Sequence, residues 1–290
     1  MQRDLEGFVA LVAGATRGAG RGSAVELGAR GATVYCTGRT TRAQQSPMGR
    51  PETIDETAEL VDAAGGRGIA VRVDHAEIGQ VAELVARIAA EQDGRLDVLV
   101  NSLWGGDPLT GWGRTFWEHS LTDGLEIQRH AVGAHLITAW HALPLMVARG
   151  RGLVVELTDG DGTRYEGQLF YDLAKTSNRR IAHDLAVDLR PHGVTAVAVA
   201  PGFLRSEAML DHFGVTEATW REGIAQDEHF ARSETPRFVG RTIAALAADP
   251  DALRFTGQTL HSGALAQEYE IDDLDGTRPD WVSYFATLNL

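Results

Sequence analysis

Val9-Ala-Leu-Val-Ala-Gly14-Ala-Thr16-Arg17-Gly18-Ala-Gly20 is an apolar run that breaks into a glycine-rich turn and resumes as a helix. At such a strand-to-helix junction the first helical amides face whatever anion sits in the turn. The stretch therefore reads as a dinucleotide cradle. Gly14 would allow the tight turn, Gly18 would let backbone N–H groups approach phosphate, and Gly20 would let the helix pack on the strand. Thr16 and Arg17, inside the loop, join the cofactor-binding candidates. Methyltransferases and unrelated loops also carry such turns, so the motif needs a second feature.

Tyr171-Asp-Leu-Ala-Lys175 supplies one. Four residues apart on a helix, the phenol and the ammonium share a face and can meet one ligand. A free phenol keeps its proton at neutral pH. Releasing it costs about 4 kcal/mol, which a neighbouring Lys and an oxidised nicotinamide could supply. Glycine turn and Tyr-Lys pair together point to hydride chemistry, and they disfavour a methyltransferase.

The net charge of −13 and the lack of a basic cluster argue against nucleic acid as a partner. The single cysteine, Cys36, excludes an intrachain disulfide and suits a reducing compartment. Its position inside an apolar run reads as core. Met1-Gln-Arg-Asp-Leu-Glu-Gly leads straight into the first strand, with no space for a signal segment. No apolar run approaches bilayer length, so a cytoplasmic protein with no membrane partner is expected. The histidines show no paired-ligand spacing, so no metal is expected.

Short apolar runs at 8–12, 33–37, 68–73, 98–101, 153–157 and 195–200 alternate with helical patterns at 23–30, 53–64, 77–92, 125–147, 171–189 and 237–248. That rhythm predicts an α/β fold: a single Rossmann-like, doubly wound parallel sheet flanked by helices, over residues 1–290 as one domain. Two segments stand outside it. Residues 203–234 leave the sixth strand where ligands bind in such sheets, and are the candidate substrate lid. The acidic stretch 268–280 belongs to a C-terminal extension at about 266–290.

With Gly14, Gly18 and Gly20 in the first turn, Asp97-Val-Leu-Val-Asn101 ending the fourth strand, Tyr171 paired with Lys175, and Pro201-Gly202 after the sixth strand, the chain resembles the short-chain dehydrogenase/reductases over roughly residues 7–265. Phe116-Trp-Glu118 and Gly152-Leu-Val-Val look most like the branch around dehydrogenase/reductase member 1. The resemblance implies Tyr171 as general acid or base and Lys175 on the nicotinamide ribose, lowering the phenol pKa. It also implies Asn101 and Ser102 lining the cofactor site, and Pro201 and Gly202 beside the nicotinamide. Asp74, ending the third strand, resembles the position that hydrogen-bonds the adenine; an exposed strand-end carboxylate is the alternative. A homodimer or homotetramer through the long helices is the family's habit.

The second strand, Val34-Tyr-Cys-Thr-Gly-Arg39, ends without the acidic residue that holds a 2′-hydroxyl in NAD-selective sites. Arg17 and Arg39 could instead bracket a 2′-phosphate, so NADP(H) is preferred and NAD(H) stays open. Three departures from the family pattern stand out. Where a serine is usual, this chain has Thr158 thirteen residues before Tyr171 and Asp159 twelve before it. Thr158 would keep a hydroxyl donor, whereas an ionised Asp159 would repel a developing alkoxide. Counting back from Gly133 for the usual relay asparagine gives His130, either a proton relay or a packed histidine. Leu103-Trp104 replaces small residues, and Trp104, Trp112, Phe116 and Trp117 form either an apolar substrate wall or a loop anchor.

The expected function is an NADP(H)-dependent oxidoreductase acting on a small-molecule carbonyl or alcohol, with reduction as the expected direction. The alternative is an NADP(H)-binding sensor or scaffold, its active site eroded at Asp159 and His130.

Overall fold

The apolar run at the start of the chain is β1 (Val9–Ala13), buried along its whole length. It pairs in parallel with β2 (Thr33–Gly38) on one side and with β4 (Val98–Asn101) on the other. Hydrogen bonding on both edges and burial on both faces require an unbroken apolar run, and Val-Ala-Leu-Val-Ala is one. In this computed structural model, which describes residues 3–46, 48–160, 164–165 and 167–288, seven strands form one parallel sheet. Its order is β3-β2-β1-β4-β5-β6-β7, with β3 at Arg67–Arg72, β5 at Gly152–Leu157, β6 at Val194–Ala200 and β7 at Thr259–His261. From β3 the chain returns past β1 to form β4, so the winding reverses between β1 and β4, and a crevice opens beyond their carboxyl ends.

Helices cover both faces. α1 (Gly18–Ala29) and α2 (Ile54–Ala63) pack on one face together with α8 (Pro236–Ala248), through Leu27, Val61, Val239 and Ile243. α3 (Ile78–Glu91), α5 (Ala134–Arg149) and α6 (Leu169–Leu189) cover the other through Leu84, Ile88, Met146 and Leu189. Caps set several helix starts: Thr53 accepts from the Glu56 amide at 3.1 Å before α2, and Gln168 from the Tyr171 amide at 2.5 Å before α6.

The helix expected at 125–147 begins earlier and is not uniform. α4 (Leu121–Gln128) runs into a π-helical turn, Arg129–Gly133, before α5. The stretch Leu121–Arg149 is, by length and composition, long and apolar enough to cross a membrane, contrary to the sequence expectation. Its apolar residues include Ala139, Ala142 and Met146, which are buried against the rest of the protein. α1 starts at Gly18 rather than at 23, the glycines lying within its first turns.

β7 has no counterpart in the sequence reading, and is followed by α9 (Ser262–Glu268). Residues 203–234 contain α7 (Glu207–Phe213) and the 3₁₀ turns Trp220–Ala225 and Glu228–Arg232, gathered around Phe213, Trp220 and Phe230. The last helix is α10 (Trp281–Ala286). The acidic stretch before it is partly structural. Asp273 is buried and accepts from the Thr235 amide at 2.8 Å and the Thr235 hydroxyl at 2.5 Å, at the start of α8.

Where α1 crosses α8 there is no space for a side chain: a Cβ on Gly22 would overlap the Pro236 carbonyl. Gly22→Ala should therefore destabilise the fold by about 1–3 kcal/mol, read as a lowered denaturation midpoint.

Candidate functional site

Beyond the carboxyl ends of the strands lies a cleft of about 800 Å³. It is lined by Gly14, Thr16, Arg17, Gly18, Arg39, Asp74, Ser102, His130, Thr158, Asp159, Tyr171, Lys175, Pro201 and Gly202 among the sequence candidates. Gly20 and Asn101 are not on its wall. Residues far apart in the chain meet here because each follows a strand of the parallel sheet, and all such strands end on the same side.

The glycine turn has the geometry expected of it. Gly14 has φ +84° and Gly18 φ +54°, both left-handed. A Cβ on Gly14 would run into the Ser102 carbonyl, and one on Gly20 into the Gly14 carbonyl, so α1 sits at backbone distance from β1 and the loop after β4. The Gly18 amide, the first of α1, donates to the Glu207 carboxylate of α7 at 2.8 Å. The segment 203–234 thus reaches the N-terminus of α1, a contact with no local sequence signal.

Arg17 and Arg39 face different partners. Arg17 reaches the loop before α2: Ser46 Oγ at 3.3 Å, Met48 Sδ at 3.3 Å and Glu52 at 3.3 Å, with Glu52 also paired to Arg50 at 2.7 Å. Arg39 lies 3.4 Å from His130 Nε2. His130 sits in the π-helical turn, 2.8 Å from Glu126, and burial lowers its pKa. These partners set it on the Arg39 side of the cleft. Asp74 closes the turn after β3, accepting from the Ala76 amide at 3.0 Å.

Asn101 departs from the expectation. It is fully buried behind the wall and donates to Glu156 Oε1 at 2.8 Å, while Ser102 and Leu103 line the cleft. Glu156 Oε2 is 2.5 Å from His135 Nδ1, and His135 Nε2 is 2.9 Å from the Leu103 carbonyl. Both partners of the imidazole are acceptors, so this fully buried group holds at least one proton between His135 and Glu156 while bracing the loop that carries Trp104. The sequence reading missed the pair. Its signal was a lone charged residue in the apolar run Leu153-Val-Val-Glu-Leu.

Tyr171 and Lys175 share one face of α6, as their spacing requires. Lys175 Nζ lies 4.6 Å from the Trp104 ring centre and 5.3 Å from that of Tyr171; burial lowers its pKa, opposed by Asp159 and Asp107. Thr158 and Asp159 differ in their partners. The Thr158 hydroxyl donates to the Lys175 carbonyl at 2.7 Å, whereas the Tyr171 hydroxyl donates to the Asp159 carboxylate. The other carboxylate oxygen of Asp159 accepts from the Gly160 amide at 2.8 Å. Among the described residues, no Lys, Arg or His nitrogen forms an ion pair with this carboxylate; Arg179 reaches only the Asp159 main-chain carbonyl.

The aromatic cluster divides. Trp104 and Trp112 meet the Tyr171 ring edge-on at 5.3 and 5.2 Å, Phe116 packs on Phe170 at 5.6 Å, and Trp117 is exposed. Opposite, Phe203 and Trp281 meet edge-on at 5.4 Å, so the segment 203–234 and the C-terminal stretch both border the cleft. The Gly202 amide donates to Glu234 Oε2 at 2.9 Å, which also accepts from the Ser262 hydroxyl at 2.6 Å; Glu234 Oε1 has no partner. Glu234 is buried, and that pushes its carboxyl up to about 8.

A profile of the family described as short chain dehydrogenase matches residues 8–213. The chain is 34% identical over 280 residues to "Dehydrogenase/reductase SDR family member 1" of Mus musculus, covering 95% of this chain and 86% of that protein. It is 32% identical over 294 residues to the Homo sapiens protein of the same name, covering 100% and 90%. In structure it is similar to a short chain dehydrogenase of Mycobacterium thermoresistibile, with a TM-score of 0.77 at 22% identity, over 96% of this chain and 95% of that one.

A carboxyl raised from 4.5 to about 8 binds a proton in the folded chain that the unfolded chain has released. The stability it contributes is complete below 4.5 and lost as pH rises through 8. Buried His75, lowered to about 3, acts oppositely, but only below its unfolded value of 6.5. Melting temperature should therefore fall between pH 6.5 and 8.5 in the native chain, and Glu234→Gln should flatten that fall.

Proposed function

The chain belongs to the short-chain dehydrogenase/reductase family, and from that premise we propose an NADP(H)-dependent oxidoreductase that interconverts a carbonyl and an alcohol, with Tyr171 moving the proton. The observation that carries this reading is the convergence, on one cleft, of the glycine cradle with the Tyr171 and Lys175 pair. The residues suit a dinucleotide: left-handed Gly14 and Gly18, the first with no space for a Cβ, a helix N-terminus, and a β2 followed by Arg39 rather than a carboxylate. Gly14, Gly18 and the α1 amides would hold the pyrophosphate, Arg17 and Arg39 a 2′-phosphate, and Lys175 the nicotinamide ribose. When bound, the reduced nicotinamide supplies a hydride.

Tyr171 holds the proton for the carbonyl oxygen at its phenolic Oη. Asp159 fixes the direction of that hydroxyl by accepting its hydrogen bond. Trp104 and Trp112 hold the phenol ring from two sides and keep water from it. Proton transfer leaves a phenolate beside the Asp159 carboxylate. At an effective dielectric of about 20, two unit charges about 4 Å apart repel by roughly 4 kcal/mol. Lys175, across the Tyr171 ring, opposes that repulsion. Leu136 and Trp140 on α5 and Leu173 and Val187 on α6 are large exposed apolar side chains, and they support self-association through these helices.

Tyr171→Phe should lower kcat for NADPH-dependent carbonyl reduction by roughly 10²–10⁴-fold while NADPH still binds, as read by nucleotide fluorescence; undiminished turnover would overturn the reading. Replacing Arg17 and Arg39 together by Ala should reduce the preference for NADPH over NADH about tenfold or more. An unchanged ratio of the two Kd values would overturn the NADP(H) assignment.

A further inference from the structure

We propose that this site reduces carbon–nitrogen double bonds, taking a protonated imine in preference to a ketone; the inference rests on the dinucleotide and Tyr171 reading above. Its basis is Asp159. The carboxylate lines the cleft, accepts the Tyr171 hydroxyl, and among the described residues has no ion-pair partner. Lys175 spends its charge over the Trp104 and Tyr171 rings, and Arg179 spends its own on the Asp159 carbonyl and on Thr176 Oγ1 at 2.9 Å. Thr158, the neutral hydroxyl that could have received a carbonyl oxygen, is turned to the Lys175 carbonyl. The reacting group of the substrate therefore meets a carboxylate held in no ion pair, which Lys175 offsets only through space.

A ketone fits this environment poorly. Its reduction develops negative charge on oxygen, and the proton that quenches it leaves Tyr171 as a second anion against Asp159. An iminium fits well. Its nitrogen arrives protonated and cationic, the N–H donates to the carboxylate, and Tyr171 keeps its proton. The balance is simple. The reduced dinucleotide supplies a hydride with its electron pair, a C–H bond forms at the imine carbon, and the C=N π pair passes to nitrogen. A neutral amine and the oxidised dinucleotide result, with no proton taken from the protein. Asp159 also raises the fraction of imine that is protonated, because it stabilises that form.

The test uses the full-length protein with NADPH, cyclic imines such as 3,4-dihydroisoquinoline, and ring-matched ketones such as 2-tetralone. We expect kcat/KM for the imine to exceed that for the ketone by at least tenfold, and Asp159→Ser to shift that ratio at least tenfold towards the ketone. A binding arm needs no turnover. Quenching of tryptophan fluorescence should show the tetrahydroisoquinolinium cation binding at least tenfold tighter than neutral isochroman, with the difference lost in Asp159→Asn. Thermal melts establish that both variants are folded. Ketone turnover with no preference for imine or cation overturns this inference and leaves the carbonyl reading standing. NADPH binding with turnover of neither class overturns both.

Discussion

The absence of side chains at residues 14, 20 and 22 is the constraint from which the rest of the molecule is built. It lets α1 lie at backbone distance from β1, from the Ser102 carbonyl after β4 and from the start of α8. Close packing of that kind is intolerant of even one added methyl group, because protein interiors hold few voids large enough to take it. The same contacts aim the first amides of α1 into the crevice at the point where the winding of the sheet reverses. A demand of packing thus shapes the turn that anion binding would use.

Much of the architecture was legible because a parallel sheet covered on both faces writes itself as short apolar runs, and six of its seven strands were read that way. The seventh, Thr259–His261, has three residues and none of the apolar continuity of the others, so no periodicity announces it. The helix expected at 125–147 was visible as a pattern, but the extra residue that widens one turn around His130 leaves the apolar spacing almost unchanged. Where the reading depended on direction, it failed or stayed open. Asn101 and Ser102 are neighbours at a strand end, and successive side chains of a strand point to opposite faces, so one entered the core and the other the cleft. Thr158 and Asp159 both line the cleft but bond different partners, the Lys175 carbonyl and the Tyr171 hydroxyl. The partners of Arg17, at Ser46, Met48 and Glu52, lie in a loop whose path no local pattern encodes.

Buried carboxyl groups are concentrated behind and beneath the cleft. Glu156 with His135 braces the loop carrying Trp104, Glu234 holds the Gly202 turn, and Asp273 anchors the start of α8 with Arg205 3.7 Å away. Each of these carboxylates is expensive to bury and accepts two or more hydrogen bonds in return. Each also ties a cleft-lining or lid-supporting segment to a more distant part of the chain, so the wall shapes depend on polar contacts that apolar packing alone would leave free to slide. Asp159 is the contrasting case: a carboxylate on the wall itself, accepting from the Tyr171 hydroxyl and the Gly160 amide.

The hydrogen bond from the Gly18 amide to Glu207 has a thermodynamic corollary. An arriving phosphate and this carboxylate compete for one donor, so the free energy of docking the dinucleotide includes the work of evicting a tethered anion. By reciprocity, whatever draws α7 away from α1 strengthens the grip on the nucleotide by the same factor. Helix α7 belongs to the segment 203–234, which borders the cleft, so a nucleotide held at the start of α1 would be linked to that segment through Glu207.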